Sequence, residues 1–395
     1  ATDTETIVLD NTLPTIDITT PIEGDGIVNA TEDGDVTISG TTADVEDGQI
    51  VTVTFNDGTN PVVTTTATVT GNAWTATDAD ISGLDNGNIT ITADVTNVAL
   101  NPATDTETIV LDNTLPTIDI TTPIEGDGIV NAIEDGDVTI SGTTTDVEDG
   151  QTVTITFNDG TNPVVTTTAT VTGNAWTATD ADISGLDNGN ITVTADVTNV
   201  ALNPATDTET ETIVLDNTTP TIDITTPIEG DGIINATEDG DVTISGTTTD
   251  VENGQTVTVT FNDGTNPVVT TTATVTGNAW TATDADISGL DNGTITVTAD
   301  VTDVALNPAT DTETIVLDNT LPTIDITTPI EGDGIVNATE DGDVTISGTT
   351  TDVEDGQTVT VTFDDGTNPV VTTTATVTGN AWTATDADIS GLDNG

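Results

Sequence analysis

"ETIVLDNTLPTIDITTP" occupies residues 5–21 and returns at 107–123, at 211–227 with Thr219 in place of the leucine, and at 313–329. Each occurrence holds two short stretches with a period of two, "ETIVLD" and "TIDI", joined across Asn-Thr-Leu-Pro. Proline forfeits no ladder hydrogen bond at the start of an edge strand. The stretch therefore reads as the closing strand of one β-domain, a short connection, and the opening strand of the next. It sets the frame of a tandem array.

Four tryptophans keep the same frame. Trp74, Trp176, Trp280 and Trp382 are spaced by 102, 104 and 102 residues. Solenoid repeats run to about 20–50 residues, so each period reads as a domain with its own core. The units are 13–114, 115–218, 219–320 and 321–395, the fourth stopping before its last two strands. Residues 1–12 read as the closing strand of a preceding unit. The longer step comes from an added Thr-Glu in "TDTETETIVLD" (206–216). Two residues leave in/out alternation intact where one would invert it, which points to a strand end.

Within a unit, Thr and Val alternate and no stretch reads as a helix. Strands are expected at 15–19, 35–39, 50–55, 62–70, 73–77, 88–95 and 106–111, separated by turn signals such as "TEDGD", "NDGTNP" and "GLDNG". Seven short strands in about 100 residues fit an all-β, immunoglobulin-like sandwich. Its expected core is Val36, Ile38, Val51, Val53, Phe55, Trp74, Ile89, Ile91 and Val95.

The chain carries 69 acidic residues and no Lys, Arg or His, a net charge of −69. That balance repels nucleic acid and excludes internal salt bridges. Such charge with few aromatics also suits a disordered chain. However, about a quarter of one unit is Leu, Ile, Val or Phe, above the roughly 20% below which disorder is expected. There is no Cys to build a disulfide framework, no apolar run long enough to span a membrane, and no signal peptide.

Without His, Cys, Lys, Arg or Tyr, the usual nucleophile–base pairs are absent, so an enzyme is not expected. A glycosidase-type carboxylate pair would have to recur in every unit without an evident cleft. Metal chemistry remains. The donors are hard oxygens, which suit calcium rather than zinc or copper.

Immunoglobulin topology gathers the acids at two poles of each sandwich. One pole holds Glu23, Asp25, Glu32, Asp33, Asp35, Asp57, Asp78, Asp80 and Asp85 in the first unit. In the second it holds Glu125, Asp127, Glu134, Asp135, Asp137, Asp180, Asp182 and Asp187. Its counterparts are Glu229, Asp231, Glu238, Asp239, Asp241, Asp284, Asp286 and Asp291 in the third unit. In the fourth they are Glu331, Asp333, Glu340, Asp341, Asp343, Asp386, Asp388 and Asp393. The opposite pole holds Asp44, Glu46, Asp47, Asp94 and Asn97, then Asp146, Glu148, Asp149, Asp196 and Asn199. Asp250, Glu252, Asp300 and Asp303 follow in the third unit, and Asp352, Glu354 and Asp355 in the fourth.

The seams carry Asp10 and Asn11, Asp112 and Asn113, Asp216 and Asn217, and Asp318 and Asn319. Asp112 and Asn113 are expected to face Asp146, Glu148, Asp149, Asp196 and Asn199 of the next unit, where calcium would turn repulsion into a clamp. Asp and Asn are also ordinary turn formers, so "NDGTN" and "GLDNG" equally read as turns. No loop matches the EF-hand pattern.

The motifs "LPTIDITTP", "GDGIVNA", "DVTISGTT", "NAWTATDADISGLDNG" and "TADVTNVALNPATDT" resemble the bacterial immunoglobulin-like extender repeats of giant RTX adhesins, nearest to the repeats of an ice-binding member. The resemblance covers the whole chain. It implies a monomeric rod of repeats, stiffened by calcium at the joints, that holds a distal ligand-binding tip away from the outer membrane. It also implies type I secretion and anchoring at the bacterial surface through other regions. Two alternatives stay open: adhesion or ice binding through threonine-rich faces such as "VVTTTATVTG" (62–71), and a passive flexible stalk.

Overall fold

The computed structural model describes residues 2–395, and for 209–212 the backbone alone. The chain separates into two compact units, Ala1–Thr218 and Thr219–Gly395. Each holds two repeats. Among the described residues there are four hydrophobic clusters, one within each repeat.

The first repeat is a sandwich of two sheets. β1 (Thr15–Ile18), β2 (Ile27–Asn29), β3 (Val36–Ala43) and β4 (Ile50–Asn56) are followed by β5 (Val63–Thr68), β6 (Ala73–Ala79), β7 (Gly87–Thr96) and β8 (Pro102–Asp112). One sheet runs β1-β3-β6, the other β2-β8-β7-β4-β5. The second repeat repeats this order with β9 (Thr117–Ile120), β10 (Ile129–Asn131), β11 (Val138–Thr145) and β12 (Thr152–Asn158). It continues with β13 (Val165–Thr170), β14 (Ala175–Ala181), β15 (Gly189–Thr198) and β16 (Pro204–Asp216). The third repeat has the same two sheets.

The seven expected strands are present, and all nine expected core residues are buried. An eighth strand, β2, was not expected. After β1 the chain makes a short 3-10 turn at Ile22–Gly24 and changes sheets. β2 then pairs parallel to β8. Three residues show too little periodicity to announce themselves, and only the neighbouring strand makes them one.

The extra pair in the second repeat is not at a strand end. Ile191 pairs with Ile213, and Val193 pairs with Glu209, so one residue of β15 faces three of β16. In the first repeat the same positions pair without interruption. A bulge inside the strand absorbs the insertion and restores register on both sides. Residues 2–12 form no strand. Ile7 and Leu9 lie exposed, whereas their counterparts Ile109 and Leu111 are buried against a sheet.

Alternation explains the layers. β4 turns Val51, Val53 and Phe55 inward and Thr52 and Thr54 toward the outer face. By register, Thr64, Thr54, Thr92 and Thr106 form one row across that outer face, while the neighbouring row is broken by Asp94. The "TGNA" turn before Trp74 has φ of 61° at Gly71 and 65° at Asn72. Thr70 and Ala73 exchange backbone hydrogen bonds across it, the two-residue hairpin that positive φ permits. The hairpin delivers the Trp74 ring onto Gly40, which pairs with it across the strands.

That contact leaves no room for a side chain. A Cβ on the equivalent Gly142 would lie 2.1 Å from the Asp119 carbonyl oxygen and 2.4 Å from Cζ2 of Trp176. Gly142→Ala should therefore destabilise the second repeat by at least ~1–3 kcal/mol, the usual cost of overpacking. Hydrogen exchange should accelerate in that repeat and not in the third. Equal protection in both would refute the packing account.

Candidate functional site

At both poles several carboxylates are engaged by backbone N–H groups. In the first repeat, Glu23 accepts Thr37 N, Asp25 accepts Ile27 N, Glu32 accepts Asn29 N, and Asp35 accepts Asp78 N. At the other pole Glu46 accepts Val98 N and Asp47 accepts Gly71 N. In the third repeat Asn253 stands where the first has Asp47, and it accepts Gly277 N at the same 2.7 Å. An oxygen acceptor is what that position requires, charged or not.

The "NDGTN" turn is a built hydrogen-bond station. Asp57 accepts the Asn60 side-chain amide, the backbone N–H groups of Thr59 and Asn60, and that of Asp85 in the "GLDNG" loop. The Asn60 amide first, then the Asp85 and Thr59 N–H groups, hold the Asp57 carboxyl far below the usual carboxylate range. Asp159, Asp263 and Asp365 are lowered in the same way, each chiefly by its own asparagine. Asp80 is lowered by the Ser82 hydroxyl and then by the Ser82 N–H. Asp85 accepts Thr59 Oγ1 and Asp78 accepts Thr77 Oγ1.

The joint between the first two repeats departs from expectation in three respects. Asn113 does not face the second repeat: its Nδ2 donates to Asp33 of its own repeat at 2.8 Å, and its N–H to Asn86 Oδ1. Asp94 and Asp196 lie within β7 and β15, each accepting a threonine hydroxyl, from Thr104 and Thr206, on the sheet's outer face. Asp112 does reach the second repeat and shares a hollow there with Asp146 and Glu148, but the groups it bonds are amides. Its Oδ2 accepts Asn199 Nδ2 at 3.2 Å and its carbonyl accepts Asn203 Nδ2 at 2.7 Å. The Ala30 N–H returns to Asn203 Oδ1 at 2.8 Å. On its own side, Asp112 Oδ1 accepts Asn86 Nδ2 at 3.2 Å.

Asn199 and Asn203 are buried. Asn199 was among the expected residues; Asn203, Asn86 and Ala30 were not. Asn203 stands four residues after Asn199 in "NVALN", and nothing local marks it as reaching another domain. The same contacts recur at the first repeat, where Asn97 and Asn101 donate to Asp10 and to the Thr12 carbonyl.

Beside these bonds lies a hollow of about 350 Å³ lined by Asp112, Thr114, Thr145, Asp146, Val147, Glu148 and Asn174. Among the described residues no three carboxylates converge on one point as a ready metal cage. An ion held here would draw further oxygens from hydroxyls, carbonyls and water. That donor set suits a hard cation such as calcium and no soft one.

A family of bacterial immunoglobulin-like domains (group 3) matches residues 174–260. A solved tetra-tandem repeat from the extending region of a large adhesion protein is 30% identical, over 97% of this chain and 92% of that one, with a TM-score of 0.37. The chain belongs to the extender repeats of large adhesion proteins. Identity over almost the whole of both chains carries this membership, not the superposition. A Ca²⁺-stabilised adhesin with which an Antarctic bacterium reaches out and binds ice is 28% identical, over 95% of this chain and 91% of that one, with a TM-score of 0.40. A 1.5-MDa bacterial ice-binding adhesin is 27% identical, over 78% and 98%, with a TM-score of 0.34. No curated protein matches at a significant level. Among the described residues of this extender array, no helix is long and apolar enough to cross a membrane.

The lowered aspartates set an acid response. Because the folded carboxyl of Asp57 is depressed, its contribution is complete above the unfolded value near ~3.9 and is lost as pH falls below it. A variant with Asp57, Asp159, Asp263 and Asp365 all changed to Asn cannot titrate there. Its melting temperature should fall less steeply than the parent's between about pH 4 and pH 2. Parallel slopes in thermal melts would show that these turns do not govern the acid response.

Proposed function

We propose that this array is a calcium-stiffened spacer, exported to the bacterial surface and carrying a distal binding region away from the cell. The observation behind it is the joint. Asp112 is tied at once to Asn86 of its own repeat and to Asn199 of the next, beside a hollow whose polar lining is mostly oxygen. Asp112, Asp146 and Glu148 would hold a calcium ion there, and the ion would supply the positive charge that the chain lacks. The pole acids, among them Asp33, Asp35 and Asp78, are further ligand candidates. The proposed units are 13–114, 115–218, 219–320 and 321–395. The Ca²⁺ stabilisation of a relative supports this reading, as does the near identity of the repeats, which suits a role set by length. Rows of outward threonines favour the second reading, binding through the sheet face, and ice shaping by the array alone would support it.

Calcium should raise the melting temperature at millimolar concentration, the range of extracellular modules. One site at a hundredfold excess over its Kd stabilises by roughly 2.7 kcal/mol. Superimposable melts in chelator and in calcium would exclude the metal. In saturating calcium, Asp112→Ala should leave the melting of the repeats almost unchanged while altering the scattering profile of the full chain. An unaltered profile would remove Asp112 from the joint.

A further inference from the structure

The parallel pair β2–β8 fixes where its hydrogen bonds fall. Ile27 stands beside Val110 and Asn29 beside Asp112, and the Val110 N–H donates to the Gly26 carbonyl at 3.0 Å. Bonds in a parallel ladder are evenly spaced and slanted, so a residue facing its partner strand bonds to the residues on either side of the one beside it. By that register the Asp112 carbonyl and the Ala30 N–H are the acceptor and donor of the next rung. Both go to the second repeat. Asn203 Nδ2 donates to the Asp112 carbonyl at 2.7 Å, and Asn203 Oδ1 accepts the Ala30 N–H at 2.8 Å. A side-chain amide carries the donor and the acceptor of a peptide group, so it fills the rung from both sides. Asn203 is fully buried there.

We infer that Asn203 is the positioning residue of this joint: its amide is the last rung of the first repeat's β2–β8 ladder, and it sets the heading of the second repeat. One bond between two bodies leaves rotation about that bond. Two bonds from one planar amide, to two separate segments of the first repeat, remove it. The loop that carries Asn203 also reaches the proposed ion site. The Val200 N–H donates to Glu148 Oε2 at 2.9 Å, and the Asn203 N–H orients Asn199, whose Nδ2 meets Asp112 Oδ2. With the rung closed, Asp112 shares its hollow with Asp146 and Glu148. This last step rests on the spacer reading: the amide aligns the ligands, and calcium stiffens the joint that they form.

The test uses the full chain. Asn203→Leu keeps the branched shape of the side chain and removes both bonds. Amide exchange at Ala30, read by NMR, should accelerate roughly tenfold, while Val110, one rung inward, keeps its protection. Because the sequence holds no cysteine, Thr66→Cys and Thr168→Cys place two spin labels on exposed positions of the first and second repeats. In saturating calcium the parent should give one narrow distance distribution and the Asn203→Leu chain a broader one. The calcium concentration at which the distribution narrows should rise roughly tenfold, the usual cost of losing an outer partner of a metal ligand. Asn203→Ala, which adds no bulk, is read instead if Trp176 fluorescence shows that Asn203→Leu unfolds the second repeat. Unchanged exchange at Ala30 would overturn the rung, as would an acceleration shared equally by Val110. An unchanged distribution and calcium midpoint would overturn the positioning role. If calcium does not narrow the parent's distribution, the spacer reading loses its metal, while exchange at Ala30 still decides the rung.

Discussion

Every carboxylate in this protein lacks a cationic side chain to meet it. With 69 acids and no Lys, Arg or His, the only internal groups able to oppose negative charge are N–H and O–H donors. The fold depends on that constraint. Glu23, Asp25, Glu32, Asp47 and Asp57 sit at loop positions where backbone N–H groups are left over by the sheets, and each closes its turn by accepting one or more of them. Hydrogen bonds to a charged acceptor are stronger than neutral ones. The arrangement therefore lets a charge-rich chain use its acids as turn fasteners.

The same economy governs the way in which the edge strand is held. Ile18 N–H lies at the end of β1, and Asp105 of β8 accepts it at 2.7 Å; Asp207 and Asp311 do the same for Ile120 and Ile224. A strand of four residues gains a tie to the opposite sheet, which steadies the segment that follows each joint. Ile16 and Ile18 of β1 are buried beside β7 and β8.

At the joint, charge is again answered by amides. Asn199 and Asn203 belong to one repeat and Asp112 to its predecessor, so the pairing of a buried amide with an arriving carboxylate joins two cores that share no apolar contact cluster. Asn203 serves both directions, donating to the Asp112 carbonyl and accepting from Ala30. Because its surroundings are fully buried, an unpaired group there would carry the full desolvation cost. That is why a small polar contact can specify how one repeat follows another.

The sequence by itself determined the repeat frame, the sandwich class, the inward face of each strand and the absence of internal ion pairs. These follow from period-two patterning, from proline placement and from composition, which are local or countable properties. Tertiary structure decided the rest. β2 is a strand only because β8 lies beside it, and the Thr-Glu insertion is harmless only because β16 bulges against Thr192. Asp57 became a turn fastener because the "GLDNG" loop brings its N–H from 28 residues away. Asp112 and Asn113 are neighbours in sequence and point to different domains, Asp112 to Asn199 and Asn113 back to Asp33. Residue type placed oxygen donors at the joint, but which donor meets which amide depends on contacts some 80 to 90 residues apart, and no pattern read along the chain encodes such contacts.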